Sequence, residues 1–188
     1  MPNFTKQAIK ASFLKLLNQQ PLNKISVRSI VEDCGINRNS FYYHYQDIPA
    51  LLGEIIKDEV DSLIEQYPTI NSLDECLQVA FHFARENRKA VLHIYNSDNR
   101  DIYENYYMKL CEYIVGTYLD TAFGKNIVSE ADRAIAIRFL KCELFGLSLD
   151  WIASGMPENA LDSIRRVLEL CRGMSEQIIS RSRQDKDS

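Results

Sequence analysis

Residues 26–45 read SVRSIVEDCGINRNSFYYHY and carry the strongest local structural signals of the N-terminal part of the chain. Ser26 is a typical helix N-cap, and apolar residues follow it at the spacing of one helical face. Gly35 can adopt the left-handed conformation that ends a helix, and Asn37 can cap the next one. The stretch therefore predicts a helix, a glycine turn and a second helix through His44, which is the arrangement of a helix-turn-helix.

The outward residues of the second helix are of the types that read DNA. Its first exposed positions are Arg38, Asn39 and Ser40. Arginine can donate two hydrogen bonds to guanine, and asparagine can pair with adenine. Phe41 points to the opposite side and is predicted to be a core residue. Three possible donors to the sugar-phosphate backbone follow: Tyr42, Tyr43 and His44.

The charge of the N-terminal segment favours DNA binding over the alternative of an αα-hairpin with a polar outer face. Residues 1–46 contain six Lys or Arg against Glu32 and Asp33, a net charge of +4, whereas the whole chain of 188 residues carries −4. The remaining residues therefore carry −8. A basic surface confined to one end indicates a local anion-binding site.

The rest of the chain is predicted to be helical. With 7 Gly and 5 Pro, a turn-rich β-sandwich is disfavoured. Apolar spacing predicts an all-α fold of about nine helices, the later ones at about 47–67, 72–86, 88–96, 100–123, 129–154 and 157–182. No apolar run approaches the roughly 18 residues that span a bilayer, and the N-terminus lacks the order of a secretory signal. We therefore expect a cytoplasmic protein with no membrane partner.

The sequence contains no motif of an enzyme or a metal centre. It has no phosphate-binding glycine loop, no H-E-x-x-H and no convincing Ser/His/Asp order. His82 and His93 are eleven residues apart, with no third ligand at helical spacing. We expect no catalytic residue, no cofactor and no metal. A helical enzyme, and a protein-binding adaptor with a vestigial helix-turn-helix, remain the alternatives to a DNA-binding protein.

The N-terminal segment resembles the DNA-binding domain of the TetR family of bacterial transcriptional regulators. The resemblance is carried by Ser26, Ile30-Val31, Cys34-Gly35-Ile36 and Phe41-Tyr42-Tyr43-His44-Tyr45. It implies a regulator, most often a repressor, that binds a palindromic operator in double-stranded DNA as a homodimer and responds to a small molecule. It also implies a DNA-binding domain at 1–46 and an effector-binding and dimerisation domain at 47–188, with the 47–66 helix transmitting movement between them.

The resemblance implies individual DNA contacts. Phosphate contacts from the first helix and the start of the second would involve Thr5, Lys6, Ser26, Val27 and Arg28. Contacts from the recognition helix would involve Asn37, Arg38, Asn39, Ser40, Tyr42, Tyr43 and His44. One departure affects the fourth helix, where many members place a phosphate-binding lysine and this chain has Asp47-Ile48-Pro49-Ala50. This departure is what favours the adaptor alternative.

The middle of the chain contains the candidates for an effector site. The resemblance places an unknown small molecule among these helices, and aromatic side chains with histidine anchors would line its cavity. The candidates are His82, His93, Tyr103, Tyr107 and Tyr113. Aromatic residues at helical spacing are equally typical of ordinary core packing, so the existence of a cavity stays open.

Residues 134–153, AIAIRFLKCELFGLSLDWIA, are apolar nearly all round the helix. Such a helix either packs against a second copy in a four-helix bundle, as the resemblance implies, or forms the centre of a monomer. The interface candidates are Phe139, Cys142, Phe145, Gly146, Leu149, Ile164 and Leu168. The segment from Phe145 to Gly155 also resembles a Firmicutes-type branch that includes regulators of dihydroxyacetone-kinase genes, although no regulated gene follows from it.

Two carboxylates interrupt this apolar helix. Glu143 and Asp150 are seven residues apart and lie on one face. They are compatible with acid–base chemistry or with a cationic effector, but ion pairs with Arg138, Lys141 or an arginine of a second copy are the favoured interpretation.

Overall fold

The computed structural model describes residues 4–124, 129–171, 173, 174, 177 and 180–182, without the side chains of residues 82, 83, 160 and 161. Within this part of the chain every regular element is helical, which confirms the predicted all-α fold. The elements are α1 (Phe4–Gln19), a 3-10 turn (Leu22–Lys24), α2 (Val27–Cys34), α3 (Arg38–His44), α4 (Ile48–Gln66), α5 (Leu73–Glu86), α6 (Arg88–Tyr95), α7 (Arg100–Phe123), α8 (Glu130–Ala153) and α9 (Ala160–Leu170).

The chain forms two compact units. The first takes in the described residues up to Asp61 together with Ala84–Tyr106. The second takes in Ser62–Phe83 and the described residues from Tyr107 onward. The predicted functional boundary at residues 46 and 47 concerns which residues bind DNA, and it remains a prediction.

The first unit is built around α1, which contacts α2, α3 and α6. Its inward residues Ile9, Phe13 and Leu17 are at most 1% exposed and follow an i, i+4, i+8 spacing, which places them on one face of the helix. The hydroxyl of Ser12 donates a 3.2 Å hydrogen bond to the Ile30 carbonyl, which joins α1 to α2 inside this core. Apolar burial and one buried polar bond thus fix the base on which α2 and α3 are held.

The turn between α2 and α3 follows from the sequence signals at its two ends. The Ser26 hydroxyl accepts from the Ser29 amide, and the Ser29 hydroxyl accepts from the Ser26 amide, so the start of α2 is capped reciprocally. Gly35 ends the helix with φ 70° and ψ 29°, a conformation that glycine adopts without a steric penalty. The predicted helix–glycine turn–helix is confirmed.

The second unit has a core of aromatic and aliphatic side chains. The rings of Phe81 and Trp151 meet edge to face at 4.7 Å, and the Trp151 indole donates to the Pro157 carbonyl at 3.0 Å. The prediction of one continuous helix at about 157–182 is wrong, because α9 ends at Leu170 and Gly173 has a φ of 91°. None of the described helices has the length and apolar character needed to cross a membrane.

Candidate nucleic-acid interface

Helix α3 is positioned by its cap and by two buried rings. The Asn37 side chain accepts from the Ser40 amide at 2.8 Å, which satisfies one of the free amides at the helix start. Phe41 is fully buried, as predicted, and Tyr45 is 4% exposed. Their rings lie 5.8 Å apart. One side of this seven-residue helix is therefore fixed in the core, and the other side must face solvent.

We call the outward side of α3 the recognition face and define it as Arg38, Asn39, Tyr42 and Tyr43. These residues follow an i, i+1, i+4, i+5 spacing, so their side chains lie together on one helical face. All four are exposed, and Tyr43 is 84% exposed. The face thus presents a guanidinium, an amide and two phenol hydroxyls, which are groups able to hydrogen-bond base edges and phosphates.

The remaining candidates on α2 and α3 differ from this face in that their side chains are half-buried or already hydrogen-bonded. Ser40 and His44 are half-buried, and the His44 ring contacts the Tyr43 ring edge to face at 4.9 Å. The hydroxyl of Ser26 and the side chain of Asn37 are already engaged as caps. Their value at a DNA surface would therefore be to hold the first-turn amides of α2 and α3 in place.

Most basic side chains of the predicted DNA-binding surface form ion pairs with carboxylates of the first unit. Arg28 pairs with Glu32 at 2.7 Å, and Lys15 pairs with Asp33 at 2.5 Å. By contrast, Lys24 and Arg38 form no ion pair with any residue that the structure describes. Lys24 is exposed in the turn just before α2, and the sequence interpretation did not single it out. Its position two residues before the Ser26 cap was the available signal.

Two further lysines of α1 are held by carboxylates of α4. Lys6 lies 2.7 Å from Glu54, and Lys10 lies 2.5 Å from both Glu54 and Asp58. Partial burial would raise the pKa of Glu54, but hydrogen bonds from Lys10 and Lys6 outweigh it and lower that pKa. The Tyr45 hydroxyl donates to the same carboxylate at 3.4 Å. Lys6, a predicted phosphate contact, is thus part of an internal network that ties α1 and α3 to α4.

The missing lysine of the fourth helix has a structural replacement. Asp47 accepts a 2.8 Å hydrogen bond from the Ala50 amide and caps the start of α4. A carboxylate at this position stabilises the helix through the free amides and their partial positive charge. Asp47 therefore supports the fold at the place where a phosphate-binding cation was expected, and its negative charge would oppose phosphate.

The described effector candidates are engaged in the packing of their own units. In the first unit, Tyr103 is 1% exposed, and His93 lies 2.6 Å through Nδ1 from the Leu17 carbonyl. In the second unit, the hydroxyl of buried Tyr107 donates to the Ala80 carbonyl at 3.0 Å. The Tyr113 hydroxyl lies 3.2 Å from two carbonyl oxygens near the end of α4. None of these four is among the residues that line two cavities of the second unit between α5, α7, α8 and α9, and the His82 side chain lies outside the described residues.

The dimer candidates fall into three groups by exposure. Phe139, Cys142 and Gly146 are exposed on α8. Phe145, Leu149 and Leu168 are half-buried, and the Phe145 ring lies 6.1 Å from the Tyr107 ring. Ile164 is only 8% exposed, so it faces its own unit and presents little surface to a second copy.

We define the apolar stripe as seven exposed residues of α8, of α9 and of the segment just after α9. It contains Ile135, Phe139, Cys142, Gly146, Val167, Leu170 and Met174. Four of them were not among the candidates: Ile135, Val167, Leu170 and Met174. Ile135 and Leu170 are 66% and 70% exposed, and a surface of this kind indicates an interaction site.

Comparisons with known proteins agree with this architecture. A TetR-type family model described as "Transcriptional regulator C-terminal region" matches residues 71–173, more than half of the chain. Among solved structures, the chain is similar to the "Dihydroxyacetone kinase operon activator DhaS", with a TM-score of 0.68 and 22% identity, over 89% of this chain and 95% of that one. No curated protein matches by sequence. The structural likeness establishes the fold, and the matched family model covers α5 to α9.

Proposed function

Because this chain belongs to the TetR family of transcriptional regulators, we propose that it is a sequence-specific DNA-binding repressor. It would act as a homodimer on a palindromic operator and respond to a small-molecule effector. The observation that carries the proposal is the recognition face of α3, which places Arg38 and Asn39 outward while Phe41 locks the opposite side in the core. This is the geometry by which a helix reads the major groove.

Different residues of the first unit would supply sequence preference and general affinity. Arg38 has no competing ion pair within the described chain, so it would approach guanine without breaking an existing contact. Tyr42, Tyr43 and His44 would contact the sugar-phosphate backbone. The backbone amides in the first turn of α2, together with Lys24 and Thr5, would bind phosphates next to the recognition face. Arg28 and Lys6 would have to leave their carboxylate partners first.

The apolar stripe supports the proposal of a homodimer. One seven-residue recognition helix makes few base contacts, whereas two copies related by a twofold axis read two half-sites about one helical turn apart. Pairing α8 and α9 with their copies would remove the exposed Ile135, Phe139 and Leu170 from water. Gly146 has open space around the position of a missing Cβ, so a second helix would approach closely there.

Control by an effector would act through the distance between the two recognition helices. Helix α4 is continuous from Ile48 to Gln66, and its residues contribute to both compact units. A rigid helix transmits a rotation that a flexible linker would absorb. A ligand that binds one arrangement of the dimer better than another would shift DNA affinity by the difference between the two binding free energies.

The decisive experiment begins with selection of the operator. Random duplexes captured by the purified protein at about 150 mM salt, near physiological ionic strength, are expected to yield a palindrome. Arg38→Ala should then lose about 1–3 kcal/mol on that palindrome while its binding to scrambled DNA changes little. Arg85→Ala removes the same exposed side chain from α5 and should leave discrimination unchanged.

Two results would contradict the proposal. If Arg38→Ala discriminates as well as the parent protein, α3 does not read bases. If the folded protein binds no DNA at any salt concentration, the DNA-binding proposal is wrong and the adaptor and enzyme alternatives remain, because phosphate binding strengthens as salt is lowered. A reporter gene downstream of the palindrome separates repression from activation. Activation is the role stated in the name of the structural relative DhaS.

A further inference from the structure

The second unit contains a cavity that the effector candidates did not include. Its volume is about 240 Å³. Buried residues of α5 and α7 form its inner wall, among them Cys76, Leu77 and Val115, and α8 and α9 close it with residues such as Leu144 and Leu168. Apolar cavities of about 150 Å³ bind benzene, so this one has room for a molecule of about ten non-hydrogen atoms.

One charged side chain borders this apolar space. Among the described lining residues, Glu143 is the only Asp, Glu, Lys, Arg or His, and burial raises the pKa of the Cys76 thiol to about 12. Glu143 is exposed, and every other described residue that lines the cavity is aliphatic, aromatic or sulfur-containing. The lining therefore offers an apolar wall with one acidic residue that is also accessible to solvent.

Within the described residues Glu143 has no cation of its own, as is also true of Asp150 on the same helix, whereas several other acidic residues of the second unit are paired. In the second unit, Asp120 pairs with Arg133 at 2.8 Å, and Glu169 pairs with Arg166 at 2.6 Å. Lys141, two residues from Glu143, is held by Glu112 at 2.5 Å. Within the described residues, Glu143 has neither an ion pair nor a hydrogen bond through its side chain. The ion pairs expected from Arg138 or Lys141 are thus not formed in the described chain.

We propose that this cavity binds a small organic cation, with an apolar body of about ten non-hydrogen atoms in the interior and an ammonium group beside Glu143. A neutral apolar guest would leave the carboxylate unused, and an anionic guest would be repelled by it. The cavity walls Phe139, Val167 and Met174 also belong to the apolar stripe. This inference rests on the proposed function in one respect. If the chain is an effector-controlled dimer, the cation is its effector, and the apolar stripe is the surface through which the effector acts on the dimer.

The test compares three ligands of similar shape by NMR titration of the full chain without DNA. 3-Phenylpropylamine should bind with a dissociation constant on the order of 1 mM or below. 3-Phenylpropanol has no charge and should bind about three- to fivefold more weakly, which is the range of an exposed ion pair. 3-Phenylpropionate should bind most weakly. The shifted resonances should come from α5, α7, α8 and α9.

Matched variants isolate the carboxylate. Glu143→Gln keeps the shape and should lower the affinity for the amine about three- to fivefold without changing that for the alcohol. Asp150→Asn removes one charge from the same helix outside the cavity and should change neither affinity. Equal affinities for amine and alcohol, or an amine affinity indifferent to Glu143→Gln, would overturn the proposal.

Two other outcomes separate this site from the proposed function. If no ligand binds while the protein still selects a palindrome, the cavity proposal is wrong and the DNA-binding proposal stands. If the amine binds in a Glu143-dependent way while no DNA is selected, the cavity proposal stands alone. A Glu143→Gln variant that changes only dimer dissociation in sedimentation experiments would assign Glu143 to the interface, as the sequence suggested, and would overturn the ligand site.

Discussion

The recognition face of α3 and the apolar stripe of α8 and α9 are both exposed, yet they expose opposite chemistry. Arg38, Asn39, Tyr42 and Tyr43 offer hydrogen-bonding groups that water already solvates. Ile135 and Leu170 offer hydrocarbon at 66% and 70% exposure, which water solvates poorly. The recognition face is well solvated without a partner, so it can bind a partner and release it again. The apolar stripe is poorly solvated, so a permanent interface that buries it is favoured.

The two surfaces also differ in how the fold holds them. α3 has seven residues, and its orientation depends on Phe41, Tyr45 and the Asn37 cap. α8 has 24 residues and buries several along its length, including Ala136, Leu144 and Ile152. A change in the core beneath α3 should therefore be more damaging than any single change on either surface. Three substitutions, taken in decreasing order of their expected effect, test this difference.

Phe41→Ala should have the largest effect. The side chain is fully buried, and removing a buried phenylalanine costs about 3–5 kcal/mol, a large part of the stability of a typical domain. Urea unfolding followed by circular dichroism should show this loss, together with loss of operator binding. Tyr43→Ala removes a ring of similar size that is 84% exposed, and its stability should stay within about 0.5 kcal/mol. Equal losses in both variants would mean that α3 has no distinct inner and outer sides.

The inner and outer sides of α3 could be predicted because the signals that set them are local in sequence. Ser26, Gly35 and Asn37 are local signals, and each produced the cap or turn that its side chain favours. The alternation around Phe41 fixed the outward positions of α3 within one turn of sequence. The ion pairs of Lys6 and Lys10 were not predictable in this way, because Glu54 and Asp58 lie more than 40 residues away and meet them only after folding.

The second unit was harder to predict because its contacts also join residues that are distant in sequence. α8 is apolar nearly all round, so its sequence did not distinguish the side covered by its own unit from the side left in water. Of the interface candidates, Phe139, Cys142 and Gly146 are exposed and Ile164 faces its own unit, while the exposed Ile135 was not a candidate. Which of them contact a second copy stays a prediction. Likewise, the resemblance placed an effector among the tyrosines of the middle helices, and the hydroxyls of Tyr107 and Tyr113 donate to backbone carbonyls. Their contact with an effector stays a prediction. Only packing against distant helices decides such cases.

Ile135→Glu should have the second largest effect. If the apolar stripe binds a second copy, a buried charge at Ile135 should raise the dimer dissociation constant by about 30-fold, or about 2 kcal/mol, in sedimentation equilibrium. Because the residue is 66% exposed, the stability of the monomer should barely change. Ala134→Glu, at the neighbouring exposed position in the row of Arg138, is the matched control and should dimerise normally. A dimer that tolerates Ile135→Glu would show that the stripe is not its interface.

Glu32→Gln should have the smallest effect and should sharpen the account of the recognition side. Glu32 holds Arg28 at 2.7 Å, and both side chains are more than 60% exposed. Such an exposed pair contributes little to stability because water screens it, so its loss should leave unfolding nearly unchanged. Arg28 would then be available to phosphate, and one negative charge near DNA would disappear. Affinity for DNA of any sequence should rise about two- to fivefold at low salt, and the gain should shrink as salt increases.

The matched control for this last change is Glu59→Gln, which removes one exposed carboxylate from α4. If Glu59→Gln strengthens DNA binding equally, the gain reflects net charge and says nothing about Arg28. If Glu32→Gln instead weakens binding to the selected operator alone, Glu32 itself accepts a hydrogen bond from a base, and cytosine is the base that offers such a donor in the major groove. In that case the surface that reads sequence extends from α3 onto α2, and the ion pair with Arg28 would hold a base-reading carboxylate in place.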